Sequence, residues 1–254
     1  MKLRAILTDL DGTLLEPDGS LCEEGAEALR ALRASGVAVL PVTSKTAAEV
    51  SDLLERLDLS GPGGFENGAG VVDRRGIASL TRAAVPVEQL REAADGLRRS
   101  TAAPLRTLEE LSDRDLSAMV GLVGDDLVRM RRRQATLPLT VDERWDEALR
   151  GAAPSELTLV RGNRFLHLQG RHAKADVVAE LLAAAPGEGV VVAFGDAPND
   201  LELLRWGDRA VIVPSAAGAD QSLQAAFPDA VIAPAPHGRG WARVVQQALA
   251  EIWG

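Results

Sequence analysis

"LTDLDGTLL", residues 7–15, ends an apolar run that begins at Leu3 with two aspartates two positions apart, followed by Gly12 and Thr13. An unbroken apolar segment of that length reads as a strand buried on both faces, the habit of parallel sheets. Two like charges at its mouth need a cause. Outward from this stretch, residues 23–35 carry alanine and leucine at helical period up to Gly36, a helix stop, and residues 37–42 form a second apolar strand. Residues 46–57 read as a second helix, and the Gly-Pro-Gly-Gly run at 61–64 as a turn. This alternation predicts an α/β fold, a parallel sheet covered by helices.

From about residue 85 to 168 the chain changes character. Charged helical stretches at 86–99 and 125–133 alternate with short mixed segments, as in an insertion with its own packing. From Lys174 the first rhythm resumes: a helix to about residue 185, a strand at 190–194, a helix from Asn199, a strand at 210–213 and an amphipathic helix at 240–253. Alanine-rich patches at 215–226 and 230–235 read as turns and a short helix. The expected organisation is a core from residues 1–84 and 171–254, with 85–170 inserted.

The chain has 254 residues, enough for one large core or a core plus a smaller domain. A formal net charge of −9 argues against wholesale binding to nucleic acid or an anionic membrane and leaves room for a local basic pocket. No apolar run approaches a bilayer's thickness and the N-terminus lacks the succession of a signal peptide, so the expected location is the cytoplasm. The single cysteine, Cys22, is expected to be an inert, partly buried thiol. Lysine occurs only at positions 2, 45 and 174 in an arginine-rich chain, which draws attention to Lys45 and Lys174.

In an open parallel sheet, ligands bind beyond the carboxyl ends of the strands. Four polar clusters fall there: Asp9 to Thr13, Thr43-Ser44-Lys45, Lys174, and Gly195-Asp196-Ala197-Pro198-Asn199-Asp200. Asp9, Asp11 and Asp196, brought together, would repel one another unless a hard divalent cation lay between them, and an oxygen-rich set suits magnesium. Asp9 can then act as nucleophile towards phosphorus, with Lys174 and a Thr43 or Ser44 hydroxyl completing an electrostatic cradle. Asp11 is placed to protonate the leaving oxygen and later to take a proton from water. Gly12 permits the tight loop that carries both aspartates. The arginine run 131–133 reads as a solvated helix face, with an arginine reaching an anionic substrate as the competing reading. His167, between Leu166 and Leu168, reads as a satisfied structural histidine, and His172 and His237 as too isolated to be metal ligands.

These four clusters resemble the motifs of the haloacid-dehalogenase superfamily of phosphotransferases. The resemblance implies a Rossmann-like core, Asp9 as nucleophile, Asp11 as acid/base, Thr43 as the second motif's hydroxyl, Lys174 as the third motif's lysine and Asp196 as the acidic magnesium ligand. Asn199 and Asp200 would support phosphate and metal-bound water. An insertion between the second and third motifs resembles the α/β (C2B-type) cap of the Cof-type branch, with hinges near 82–86 and 170–173. A narrower resemblance, to the mannosyl-3-phosphoglycerate phosphatases, rests on "PVTSKTAAEV", "FENGAG" (65–70), "RFLH" (164–167) and "HGRGW" (237–241). It implies that Lys45 and Asn67 contact the substrate or the cap, and that the product is a compatible solute such as mannosylglycerate. The sequence departs from the superfamily at Ala175, where glycine is usual, at His172-Ala173, and in the cap at Arg133-Gln134-Ala135-Thr136-Leu137. The expected partner is therefore a small phosphorylated sugar derivative; a general Cof-type sugar phosphatase and a phosphomannomutase-like isomerase are the alternatives.

Overall fold

The computed structural model describes residues 2–162 and 164–250. Strand β1 (Leu3–Thr8) is buried at every position but Arg4. Helix α1 (Glu23–Ala34) follows, its N-cap being Cys22, whose Sγ accepts a hydrogen bond from the Gly25 amide at 3.3 Å. Burial pushes the Cys22 thiol up in pKa, which keeps it inert. After β2 (Ala38–Pro41), helix α2 (Ala47–Arg56) starts at a reciprocal cap: Thr46 Oγ1 accepts from Glu49 N and Glu49 Oε2 accepts from Thr46 N.

The glycines expected to make a turn at 61–64 instead lead into a strand. Strands β3 (Gly63–Phe65), β4 (Gly70–Val72) and β5 (Ala78–Leu80) form an antiparallel sheet. Close packing explains the composition, since a Cβ on Gly63 would lie 2.6 Å from Val50 Cγ1 and one on Gly64 2.8 Å from Val177 Cγ2.

The middle of the chain builds α3 (Val87–Thr101), β6 (Arg106–Thr107), α4 (Asp113–Val120), α5 (Asp125–Arg131), β7 (Thr136–Thr140), α6 (Asp146–Ala152), β8 (Leu157–Arg161) and β9 (Leu166–Gly170). Its sheet is antiparallel, in the order β6-β7-β9-β8. Side chains alternate across it. Leu137, Leu139, Leu159, Leu166 and Leu168 pack against Leu90 and Leu97 of α3 and Leu149 of α6. Thr136, Pro138, His167 and Gln169 have the opposite parity, and Gln169 reaches the first half of the chain, as described below.

The last part contains a 3-10 turn at Lys174–Val177, α7 (Val178–Ala183), β10 (Val190–Gly195), α8 (Leu201–Leu204), β11 (Arg209–Ile212), α9 (Gln221–Ala226), β12 (Val231–Ile232) and α10 (His237–Ala250). Strands β12-β11-β10-β1-β2 make one parallel sheet. One face packs Leu29 and Leu32 of α1, Val50 of α2 and Trp241 of α10; the other packs Val178 and Leu181 of α7, Leu203 of α8 and Leu223 of α9. The α/β core sheet thus has helices on both faces. Two elements differ from expectation: residues 231–232 pair with β11 as an edge strand, and α10 begins three residues early, while the end expected at Trp253 lies outside the described residues. The chain enters and leaves the middle part side by side, since a Cβ on Gly170 would lie 2.2 Å from Ala83 O. Among the described residues no helix is long and apolar enough to cross a membrane.

Candidate active site

The ends of β1 and β10 place the acidic residues. Asp9 N donates to Phe194 O at 3.1 Å, extending the ladder one residue past β1. Trp241 Nε1 donates to Thr8 Oγ1 at 3.1 Å, and Thr8 Oγ1 donates to Asp9 O at 2.7 Å, so α10 supports the backbone of Asp9. Lys174 Nζ lies 2.7 Å from Asp9 Oδ1 and 2.5 Å from Asp200 Oδ1, with all three side chains buried. The other oxygen of Asp200 accepts from the amides of Asp196 (3.0 Å) and Ala197 (3.1 Å). Only glycine fits before this loop, since a Cβ on Gly195 would meet Asp200 Cβ at 2.4 Å. Thr13 Oγ1 donates to Asp196 Oδ1 at 3.0 Å.

Burial disfavours the Lys174 ammonium, but Asp200 and Asp9 more than offset it and hold the lysine above its usual range. Burial pushes Asp9 well above the usual carboxylate range; Lys174 opposes that rise, while Asp200 and Asp196 add to it. Two buried carboxylates thus share one buried cation, with Asp196 beside them. Asp9, Asp196 and Asp200 each offer an oxygen within 4.8 Å of the others, a hard-oxygen set that fits a divalent cation.

The Asp11 carboxylate pairs with Lys45 Nζ at 2.9 Å, while the cluster of carboxylate oxygens joins Asp9, Asp196 and Asp200. Burial would raise the Asp11 carboxyl, but Lys45 outweighs this and keeps it below its usual range; Lys45 is raised in return, Asp11 outweighing its own desolvation. Asp200 is fully buried, one oxygen accepting from Lys174 and the other from two amides, and so it holds Lys174 and the Asp196 loop.

A cavity of about 230 Å³ opens above Asp9. Asp11, Gly12, Ser44, Lys45 and Asn199 line it from the core, and Met130, Arg133, Phe165 and His167 from the middle part. Asn199 Oδ1 is buried without a hydrogen-bond partner among the described residues. Thr43 is fully buried, its Oγ1 accepting from Lys45 N at 3.3 Å, and of the pair Thr43 and Ser44 it is Ser44 that lines the cavity. Asn67 is also buried and off the cavity. It has left-handed backbone (φ 59°), and its Nδ2 donates to Gln169 Oε1 on β9 at 2.9 Å, so of the two expected contacts it makes the one to the covering part.

Sequence reasoning missed Glu66. This fully buried carboxylate accepts from the amides of Gln134, Ala135 and Thr136 and from Thr136 Oγ1, at 2.7–2.9 Å. It thereby fastens the start of β7 to the core and sets the position of Arg133, whose Nη1 donates to Ser44 O at 2.6 Å. The motif signal was "FENGAG"; the role was not readable. Glu66→Ala leaves three amides and a hydroxyl without their acceptor, most of them buried, and is expected to cost about 3 kcal/mol, a Tm loss of roughly 6–12 °C by calorimetry. A Tm within 2 °C of wild type would contradict it.

The histidines also depart from expectation. His167 lines the cavity, its Nδ1 lacks a partner among the described residues, and it is therefore not a satisfied structural histidine. Burial, with Arg133, Lys174 and Arg161 nearby, pushes its pKa down to about 3. His172 Nε2 lies 3.1 Å from Glu66 O, and His237 Nδ1 lies 3.3 Å from Gly12 O, joining α10 to the aspartate loop. The arginine run is no solvated face as a whole: the Arg133 side chain is 6% exposed.

The model of the haloacid dehalogenase-like hydrolases matches residues 6–103, the stretch that carries Asp9, Asp11 and the 43–45 corner. The fold continues the match over the whole chain. A structure from Thermoplasma acidophilum superposes with a TM-score of 0.74 at 18% identity, covering 98% of this chain and 99% of that one. The family match itself spans the first part of the chain, and the solved structures extend the likeness in fold to the rest. A phosphatase of the superfamily from Bacteroides thetaiotaomicron superposes at TM-score 0.72 and 19% identity, over 97% of this chain and 95% of the other. A subclass IIB sugar phosphatase does so at 0.72 and 18%, over 96% and 98%. Among curated proteins, a glucosyl-3-phosphoglycerate/mannosyl-3-phosphoglycerate phosphatase of Persephonella marina (strain DSM 14350 / EX-H1) is 25% identical over 266 residues, covering 97% of each chain.

Proposed function

We propose that this chain is a member of the haloacid-dehalogenase superfamily and a magnesium-dependent, cytoplasmic phosphatase of a small phosphorylated sugar derivative, with mannosyl-3-phosphoglycerate or glucosyl-3-phosphoglycerate preferred. The observation that carries the chemistry is Asp9 at the base of the cavity, held 2.7 Å from Lys174, with Asp11 and Lys45 paired beside it. An Asp9 oxygen attacks phosphorus and the bond to the leaving oxygen breaks, giving a phosphoaspartyl intermediate. Asp11 gives its proton to the leaving oxygen, then takes one from the water that cleaves the intermediate, releasing phosphate and restoring Asp9.

Lys45 keeps Asp11 ionised before substrate arrives. An incoming phosphoryl group competes for the lysine, and the released carboxylate then rises in pKa towards the acid form its first step needs. Ser44 and Lys45 receive phosphoryl oxygens, Thr43 holds their corner, and Gly12 and Asn199 bound the same space. Asp9 and Asp196 would hold the magnesium ion, with Asp200 behind them; when bound, the ion neutralises charge on the phosphoryl oxygens. Residues 85–170 act as a cap over the core formed by 1–84 and 171–254, excluding water during reaction.

The preference for a glycosyl phosphoglycerate is supported by the Persephonella relative and by Arg133, a buried guanidinium on the cavity suited to a carboxylate. Phosphate release with magnesium is measured on mannosyl-3-phosphoglycerate, glucosyl-3-phosphoglycerate and simple hexose phosphates. A kcat/KM at least about tenfold higher on a glycosyl phosphoglycerate is expected, about 1.4 kcal/mol of discrimination. Equal rates across the panel would leave a general sugar phosphatase.

A further inference from the structure

Strand β9 alternates Leu166, His167, Leu168, Gln169. The leucines enter the apolar core of the covering part, so His167 and Gln169 share the opposite face of the sheet. Gln169 is fully used there: its Oε1 accepts from Asn67 and its Nε2 donates to His172 O, both at 2.9 Å. His167, equally buried and two residues closer to the cavity, has an Nδ1 with no partner among the described residues. A buried ring nitrogen without a partner costs stability, and a cavity wall is where a ligand can supply one. Across the cavity, Asn199 Oδ1 is in the same state.

The cationic groups around the cavity already have partners: Lys45 pairs with Asp11, Arg133 donates to Ser44 O, Met130 O and Thr136 Oγ1, and Arg164 donates to Val120 O and Pro17 O. His167 differs in being uncharged through the neutral range, which suits it to a hydroxyl, a group able to donate or to accept.

We infer that His167 is a specificity-determining residue whose Nδ1 hydrogen-bonds a hydroxyl of the leaving group, so that the cavity selects polyhydroxylated esters over bare phosphate esters. The inference rests on the reading of the cavity as the leaving-group site. Any carboxylate on the substrate would fall to Arg133, leaving the sugar hydroxyls to His167.

The test compares wild type with His167→Leu, His167→Asn and His167→Gln on the best sugar ester of the panel and on p-nitrophenyl phosphate, which has no hydroxyl. The amide of asparagine overlays Nδ1 of histidine, whereas that of glutamine overlays Nε2. For His167→Leu, kcat/KM on the sugar ester is expected to fall about tenfold to a hundredfold, mostly through KM, with p-nitrophenyl phosphate changed less than about threefold. His167→Asn should retain most of the sugar-ester activity and His167→Gln should not. Equal losses on both substrates, or no loss on either, would overturn the inference. If wild type prefers hexose phosphates to the glycosyl phosphoglycerates, the finer substrate reading fails and the same comparison, made on the hexose ester, still decides the role of His167.

Discussion

Asp9→Asn is expected to abolish phosphate release, by a factor on the order of 10⁴ or more, while leaving the protein at least as stable as wild type. The two halves of this expectation have one cause. Asp9 is a carboxylate that the fold buries beside Asp196 and Asp200 and pushes above its usual pKa range, so its charge is opposed by its surroundings. Asparagine is close in shape, removes that charge and leaves Lys174 its bond to Asp200 at 2.5 Å. It cannot form the phosphoaspartyl ester. Single-turnover phosphate release and a melting curve, measured on the same preparation, check both halves. Undiminished turnover would remove Asp9 as nucleophile, and a Tm loss of several degrees would show that its carboxylate is structural.

How far the site could be read beforehand depended on whether a signal was local. Asp9 and Asp196 stand directly after apolar strands, and strand plus motif is contained in a few consecutive residues. Lys174 stood out because arginine dominates the basic residues. The orientation of a side chain is a different matter. Asp11 neighbours Asp9 in sequence, yet its carboxylate pairs with Lys45, a partner set by how the 43–45 corner meets the aspartate loop.

Glu66 was harder still: its partners are backbone amides 68–70 positions away, and amides carry no sequence signature. Strand β3 was hidden by its glycines, whose usual meaning is a turn and whose use here is close approach to Val50 and Val177. For His167 the signal was present, since the alternation Leu-His-Leu-Gln on a half-buried strand already separates the histidine from the apolar core.

Lys174→Met is expected to reduce turnover by about 10³-fold or more and to destabilise the fold by about 3–5 kcal/mol, the range for removing one partner of a buried ion pair. Methionine fills most of the volume, so the loss reports charge rather than a cavity. Without the ammonium, Asp9 and Asp200 face each other with Asp196 alongside, and Asp9 loses the one neighbour shown to lower its pKa.

That fixes the sign of the pH dependence. Asp9 is already raised above its unfolded value, and loss of Lys174, which lowers it, raises it further. A carboxyl raised on folding binds more protons folded than unfolded between the unfolded value and the folded one, so stability falls as pH rises through that window, by up to about 1.4 kcal/mol per pH unit for one group. The Lys174→Met variant should therefore go on losing Tm to a higher pH than wild type does, and approach it in acid. Parallel Tm profiles for the two proteins would mean that Lys174 does not favour the Asp9 carboxylate, and the cradle assigned to it would fail.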